Sequence, residues 1–123
     1  MSKIQNNSRR FHIIIDAFNC DIPPLSDKDK IKNIICKIAS LCDMTIAHGP
    51  VAIDGIPENP GVTGFAIIDF SHISIHTFTK ERELCIDIFS CKKFDYQKVK
   101  SYIKKEFSLL NENIKYLEVK YQH

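Results

Sequence analysis

The stretch from Thr63 to Cys91 reads as strands in immediate succession, and this constrains the chain more than any other feature. Thr63 to Phe70 is largely apolar and runs without a strong breaker into His72 to Phe78, and Leu84 to Cys91 follows. Between the last two, the charged pentad Thr79-Lys80-Glu81-Arg82-Glu83 makes a natural turn. A chain committed to consecutive strands over this span must build a sheet, and the flanking segments supply what covers it. Phe11 to Phe18, rich in β-branched and aromatic types, predicts a first strand. After Pro23 and Pro24, Ser26 offers a cap for a helix from about Asp27 to Cys42, with Ile31, Ile34, Ile35 and Ile38 on one stripe. Met44 to Ala47 reads as a short second strand. Gly49 to Gly61, which holds three of the five prolines and three of the four glycines, reads as a loop. Asp95 can cap a second helix that buries Val99, Tyr102, Ile103 and Phe107, and Ile114 to Tyr121 alternates like a final strand. The expected fold is α+β, a two-layer α/β sandwich with a mainly antiparallel sheet and helices packed on one face. Ile31, Ile34, Ile38, Ile86 and Ile88 are its expected core.

With 123 residues the chain suits one domain spanning 1–123. Its 44% hydrophobic and 26% charged residues exclude a disordered class, and no apolar run approaches the roughly 20 residues of a membrane span. The polar, basic start from Met1 to Arg10 argues against a cleaved secretory signal and for a cytoplasmic protein. A net charge of +2, drawn from 17 basic and 15 acidic residues, is too balanced for binding a phosphate backbone, so no nucleic acid is expected as a partner. Five cysteines without a C-x-x-C pair suggest neither a disulfide framework nor a zinc site, and at least one thiol should be free.

Chemistry concentrates in Ser71-His72-Ile73-Ser74-Ile75-His76-Thr77. On a strand, His72, Ser74 and His76 share a face opposite Ile73 and Ile75. The two histidines then lie about 13 Å apart and cannot chelate one metal by themselves. Polar residues on one strand face are also the ordinary mark of a solvated surface. If Phe78 pairs with Leu84 across the pentad turn, however, Ser71 lies opposite Cys91, and a serine, two histidines and a cysteine gather on one region of the sheet.

Three blocks, Gly61-Val62-Thr63-Gly64-Phe65, Ser71 to Thr77, and Asp87-Ile88-Phe89-Ser90-Cys91, together with Arg10-Phe11-His12 through Cys20-Asp21, closely resemble the small prokaryotic S-adenosylmethionine decarboxylases over about residues 10 to 110. The resemblance implies a proenzyme that cuts itself between Phe70 and Ser71 into chains 1–70 and 71–123. In it Ser71 becomes a covalent pyruvoyl group, His76 removes the α-proton during elimination, and Thr63 assists processing. The pyruvoyl ketone would take the substrate amine as a Schiff base and act as an electron sink. Cys91 would then be the general acid, a role that a thiol of ordinary pKa about 8.5 suits near neutral pH. The resemblance further implies a homodimer with its site near the interface. Two departures stand out. Phe70 occupies the place of the family's usual glutamate, with Asp69 one position earlier facing the other way in a strand, and Lys80-Glu81-Arg82-Glu83 replaces an aromatic, proline-containing stretch. Three functions therefore follow: S-adenosylmethionine decarboxylase in polyamine (spermidine) biosynthesis, which leads; a pyruvoyl-dependent arginine or ornithine decarboxylase, taking a basic amino acid; and an unprocessed, noncatalytic relative that binds a partner.

Overall fold

The computed structural model describes residues 10–121; the amino-terminal segment considered for a signal, up to residue 9, lies outside the described residues. Among the described residues six strands form one sheet: β1 (Phe11–Ala17), β2 (Ile46–Ile56), β3 (Asn59–Ile68), β4 (Ser71–Phe78), β5 (Glu83–Ser90) and β6 (Ile114–Val119). Their order is β2-β3-β4-β5-β1-β6, and every neighbouring pair is antiparallel. A short helical turn α1 (Ile22–Leu25) and the helices α2 (Lys28–Leu41) and α3 (Tyr96–Glu106) complete the fold, with a 3-10 turn at Asn111–Asn113. The expected two-layer α+β architecture is thus the observed one.

One sheet face is sealed by the helices. Ile13, Ile15, Ile73, Ile75, Ile86 and Ile88 meet Ile31, Ile34, Ile35 and Ile38 of α2 and Val99 and Ile103 of α3, all buried, and the five isoleucines expected in the core are among them. The period of two along each strand leaves the alternate residues on an open face. Across the sheet these form rows: Ile67, His72, Phe89, His12 and Val119; then Val51, Phe65, Ser74, Asp87, Ile14 and Leu117; then Ile53, Thr63, His76, Cys85, Asp16 and Lys115.

Three local expectations are corrected. The cap of α2 is Asp27, whose carboxylate accepts from the Lys30 amide at 3.1 Å, while the Ser26 hydroxyl donates to the Pro23 carbonyl. Pro23 and Pro24 sit within α1, because a first helical turn needs no amide donors there. The segment from Gly49 to Gly61 is not a loop but most of the β2–β3 hairpin. Pro50 is tolerated because β2 is an edge strand with an irregular register between His48 and Val51. Gly61 and Gly64 are spacers: a Cβ on Gly61, at φ +151°, would sit 1.9 Å from the Thr77 carbonyl oxygen, and one on Gly64 would sit 2.8 Å from Ile31. Asp95 does cap α3, accepting from the Gln97 amide at 3.0 Å.

Candidate active site

Ser71 opens β4 directly after a two-residue turn, Asp69-Phe70, since Ile68 pairs with Ser71. That turn is pinned from outside the hairpin. The Asp69 amide donates to the Thr45 carbonyl at 2.9 Å, and the Thr45 amide donates to the Asp69 carboxylate at 3.1 Å, so this acid is committed to the turn. Phe70 packs against the core, with the Lys92 ammonium 5.1 Å from its ring centre. Ser71 itself has φ 143°, a backbone region that L residues occupy only at a cost of about 1–3 kcal/mol.

The register of β4 on β5 differs by one residue from the expected one. Phe78 pairs with Glu83, so Ser71 lies opposite Ser90 rather than Cys91. Arg82, in the left-handed region at φ 58°, closes the turn one residue sooner. Cys91 still reaches the site, because the chain bends just past Ser90: the buried Ser90 hydroxyl donates to the Lys92 carbonyl at 2.7 Å and accepts from the Lys92 amide at 2.8 Å. This bend aims the Cys91 amide at the Phe70 carbonyl, to which it donates at 3.0 Å. The carbonyl of the Phe70–Ser71 peptide is therefore polarised by a fixed N–H donor. Ser90 was not singled out from sequence, although a serine followed by a polar bend is the signal of such a turn.

Thr63 and His76 form a second pair. They face each other across β3 and β4, with Thr63 Oγ1 3.2 Å from His76 Nδ1, and both are exposed on the open face. His76 lies five residues along the same strand from Ser71, about 16 Å away at the usual rise. Ser71, Cys91, His76 and Thr63, expected to converge, thus form two separate pairs within this chain, Ser71 with Cys91 and Thr63 with His76.

Between them is a cluster that sequence reasoning missed. Asp87 accepts from His12 Nε2 at 2.9 Å and has His72 Nε2 at 3.4 Å, while His12 Nδ1 is 2.8 Å from the Tyr121 hydroxyl. The His72 ring lies between Phe65 and Phe89, with centroids 5.6 and 5.7 Å away and planes tilted by 26° and 30°.

All five cysteines are free thiols, and their surroundings separate them. Burial pushes the Cys42 thiol up to about 12 and the Cys20 thiol up to about 11. Burial also raises Cys85, helped by the Asp16 and Asp87 charges. Cys36 and Cys91 are exposed, but Cys36 lies on the outer side of α2. Only Cys91 combines exposure with a place beside Ser71.

The family model described as S-adenosylmethionine decarboxylase matches residues 11–119. A curated relative, the S-adenosylmethionine decarboxylase proenzyme of Clostridium botulinum (strain Loch Maree / Type A3), is 34% identical over 107 residues, covering 85% of this chain and 89% of that protein. The proenzyme of the same description from Pyrococcus furiosus is 30% identical over 99 residues, covering 79% and 68%. Among solved structures, the adenosylmethionine decarboxylase of Aquifex aeolicus superposes with a TM-score of 0.72 over 93% of this chain and 94% of that one; at 19% identity this is a likeness of fold.

Proposed function

Because this chain belongs to the S-adenosylmethionine decarboxylase family, we propose that it is a self-processing, pyruvoyl-dependent S-adenosylmethionine decarboxylase serving polyamine (spermidine) biosynthesis. The observation that carries the reading is the 3.0 Å hydrogen bond from the Cys91 amide to the Phe70 carbonyl, at the peptide that ends on the strained Ser71.

A serine hydroxyl attacking the carbonyl before it turns that oxygen into an oxyanion, and a preorganised N–H already on it stabilises that charge. In the proposed sequence the Ser71 Oγ–C bond forms as the Phe70–Ser71 C–N bond breaks, giving an ester. Loss of the Ser71 α-proton expels the Phe70 carboxylate, and hydrolysis of the remaining dehydroalanine releases ammonia. The residues fit this chemistry: Ser71 supplies the hydroxyl, Cys91 the amide donor, and His76, oriented by Thr63, a proton acceptor. The pyruvoyl group formed at Ser71 supplies the ketone that takes up the substrate amine and the electron pair left by carbon dioxide. Cys91 returns a proton to the substrate carbon through its thiol.

His76 stands about 16 Å from Ser71 in its own protomer, so the reading includes a homodimer in which His76 of the partner subunit completes the site. The open sheet face supports this. It presents Val51, Ile53, Phe65, Ile67 and Leu117, with Ile53 68% exposed, which is more apolar surface than a solvated face needs. A cytoplasmic setting accords with five free thiols.

Denaturing mass analysis of purified protein tests the reading. The expected result is two chains, 1–70 and 71–123, the second with a blocked, serine-derived terminus, together with release of carbon dioxide from S-adenosylmethionine. A folded chain that stays whole overturns it.

A further inference from the structure

Cutting before Ser71 creates a difficulty for the site it builds. Until the cut, residue 71 is held on both sides by peptide bonds; afterwards it is the first residue of a chain, and terminal residues fray unless tied down. The reacting group would then sit on the least constrained residue of β4. What remains to hold it is the ladder to β3 and β5 and whatever fixes the next residue, His72, whose amide nitrogen bonds directly to the residue 71 carbonyl.

His72 is fixed from both sides. Its ring is stacked between Phe65 on β3 and Phe89 on β5, centroids 5.6 and 5.7 Å away, and its Nε2 lies 3.4 Å from Asp87. Asp87 is itself held by His12, at 2.9 Å. The clamp thus draws on the strands on either side of β4 and on β1 beyond. By register His72 faces Ile67 and Phe89, and Phe65, which pairs with Ser74, reaches the His72 ring diagonally; His76, the other histidine of β4, lies between Thr63 and Cys85.

We propose that His72 is a positioning residue, whose stacked ring replaces the lost covalent tether and keeps residue 71 in reacting geometry once the chain is cut. The inference rests on the reading that Ser71 is the processed residue. It implies an asymmetry that a general structural role lacks: the clamp matters little before the cut and much after it.

The experiment compares His72→Ala and His72→Phe with wild type. The expected result for His72→Ala is full cleavage at Ser71, with kcat for S-adenosylmethionine lowered about tenfold and KM held within about twofold, since a small misplacement of a reacting group acts on kcat. His72→Phe, which retains the stack, should restore kcat to within about threefold of wild type. Amide hydrogen exchange gives a second readout: residues 72–75 should exchange faster in cleaved His72→Ala than in cleaved wild type. In the uncleaved Ser71→Ala background, adding His72→Ala should leave that exchange unchanged. A wild-type chain that stays whole removes the reading at Ser71 and this inference with it. A cleaved wild type whose kcat and exchange are matched by His72→Ala, or a His72→Phe variant as slow as His72→Ala, overturns the inference alone.

Discussion

The Cys91 amide and the Phe70 carbonyl are joined by a 3.0 Å hydrogen bond, so in the proposed mechanism the backbone of Cys91 and its side chain serve the same site in different ways. Substitution separates the two. Cys91→Ala keeps the N–H and should still be cleaved, yet decarboxylate about 100-fold more slowly for want of a proton donor. Cys91→Pro removes the N–H and should slow cleavage itself by about 100-fold. Time-resolved denaturing gels and released carbon dioxide read the two effects independently.

Ser71→Ala and His76→Ala protomers, each silent alone, should complement one another when coexpressed. A mixed dimer holds one site with both Ser71 and the facing His76, so random pairing should recover about a quarter of wild-type activity. Absence of any recovery would place His76 at work in its own protomer, against the proposed dimer.

Thr77 ties α1 to the sheet: its buried hydroxyl donates to the Leu25 carbonyl at 2.6 Å and accepts from the Val62 amide at 2.8 Å. Thr77→Val keeps the shape and strands both partners, which should cost about 2–3 kcal/mol in urea unfolding.

The buried Cys42 thiol, raised from 9.0 to about 12, makes stability fall with alkali. Between those values the unfolded chain releases a proton that the native one keeps, so unfolding is favoured as pH rises. The melting temperature should decline from about pH 9 upward, and less steeply in Cys42→Ala; an equal slope in both would assign the decline to other groups.

The layers of the fold were legible because the isoleucines at 31, 34, 35 and 38 keep helical spacing while those at 73, 75, 86 and 88 keep the period of a strand. The β2–β3 hairpin was not, because its glycines look like breakers until their neighbours are known. Gly61 makes room for the Thr77 backbone and Gly64 for Ile31 and Ile35, and both demands come from residues distant in sequence. The one-residue register error at Cys91 came from the turn, where the left-handed Arg82 is a conformation that sequence does not announce. The separation of Ser71 from His76, by contrast, follows from the rise of a strand alone. The His72 clamp was illegible in part because Phe65 and Phe89 reach it from different strands.

The proposed cut at Ser71 would give the strand order β2-β3-β4-β5-β1-β6 a different meaning. The first fragment owns β1, β2 and β3, and the second owns β4, β5 and β6, so ownership changes three times across one sheet. Each fragment is wedged inside the other: β4 and β5 fill the gap between β3 and β1, and β1 fills the gap between β5 and β6. Neither piece has a core of its own, and neither can slip away without dismantling the whole. Unfolding of a protein cut in this way would therefore be a dissociation as well. Its recovery from urea should slow on dilution, as a reunion of two molecules does, whereas the uncut Ser71→Ala chain should refold at a rate indifferent to concentration.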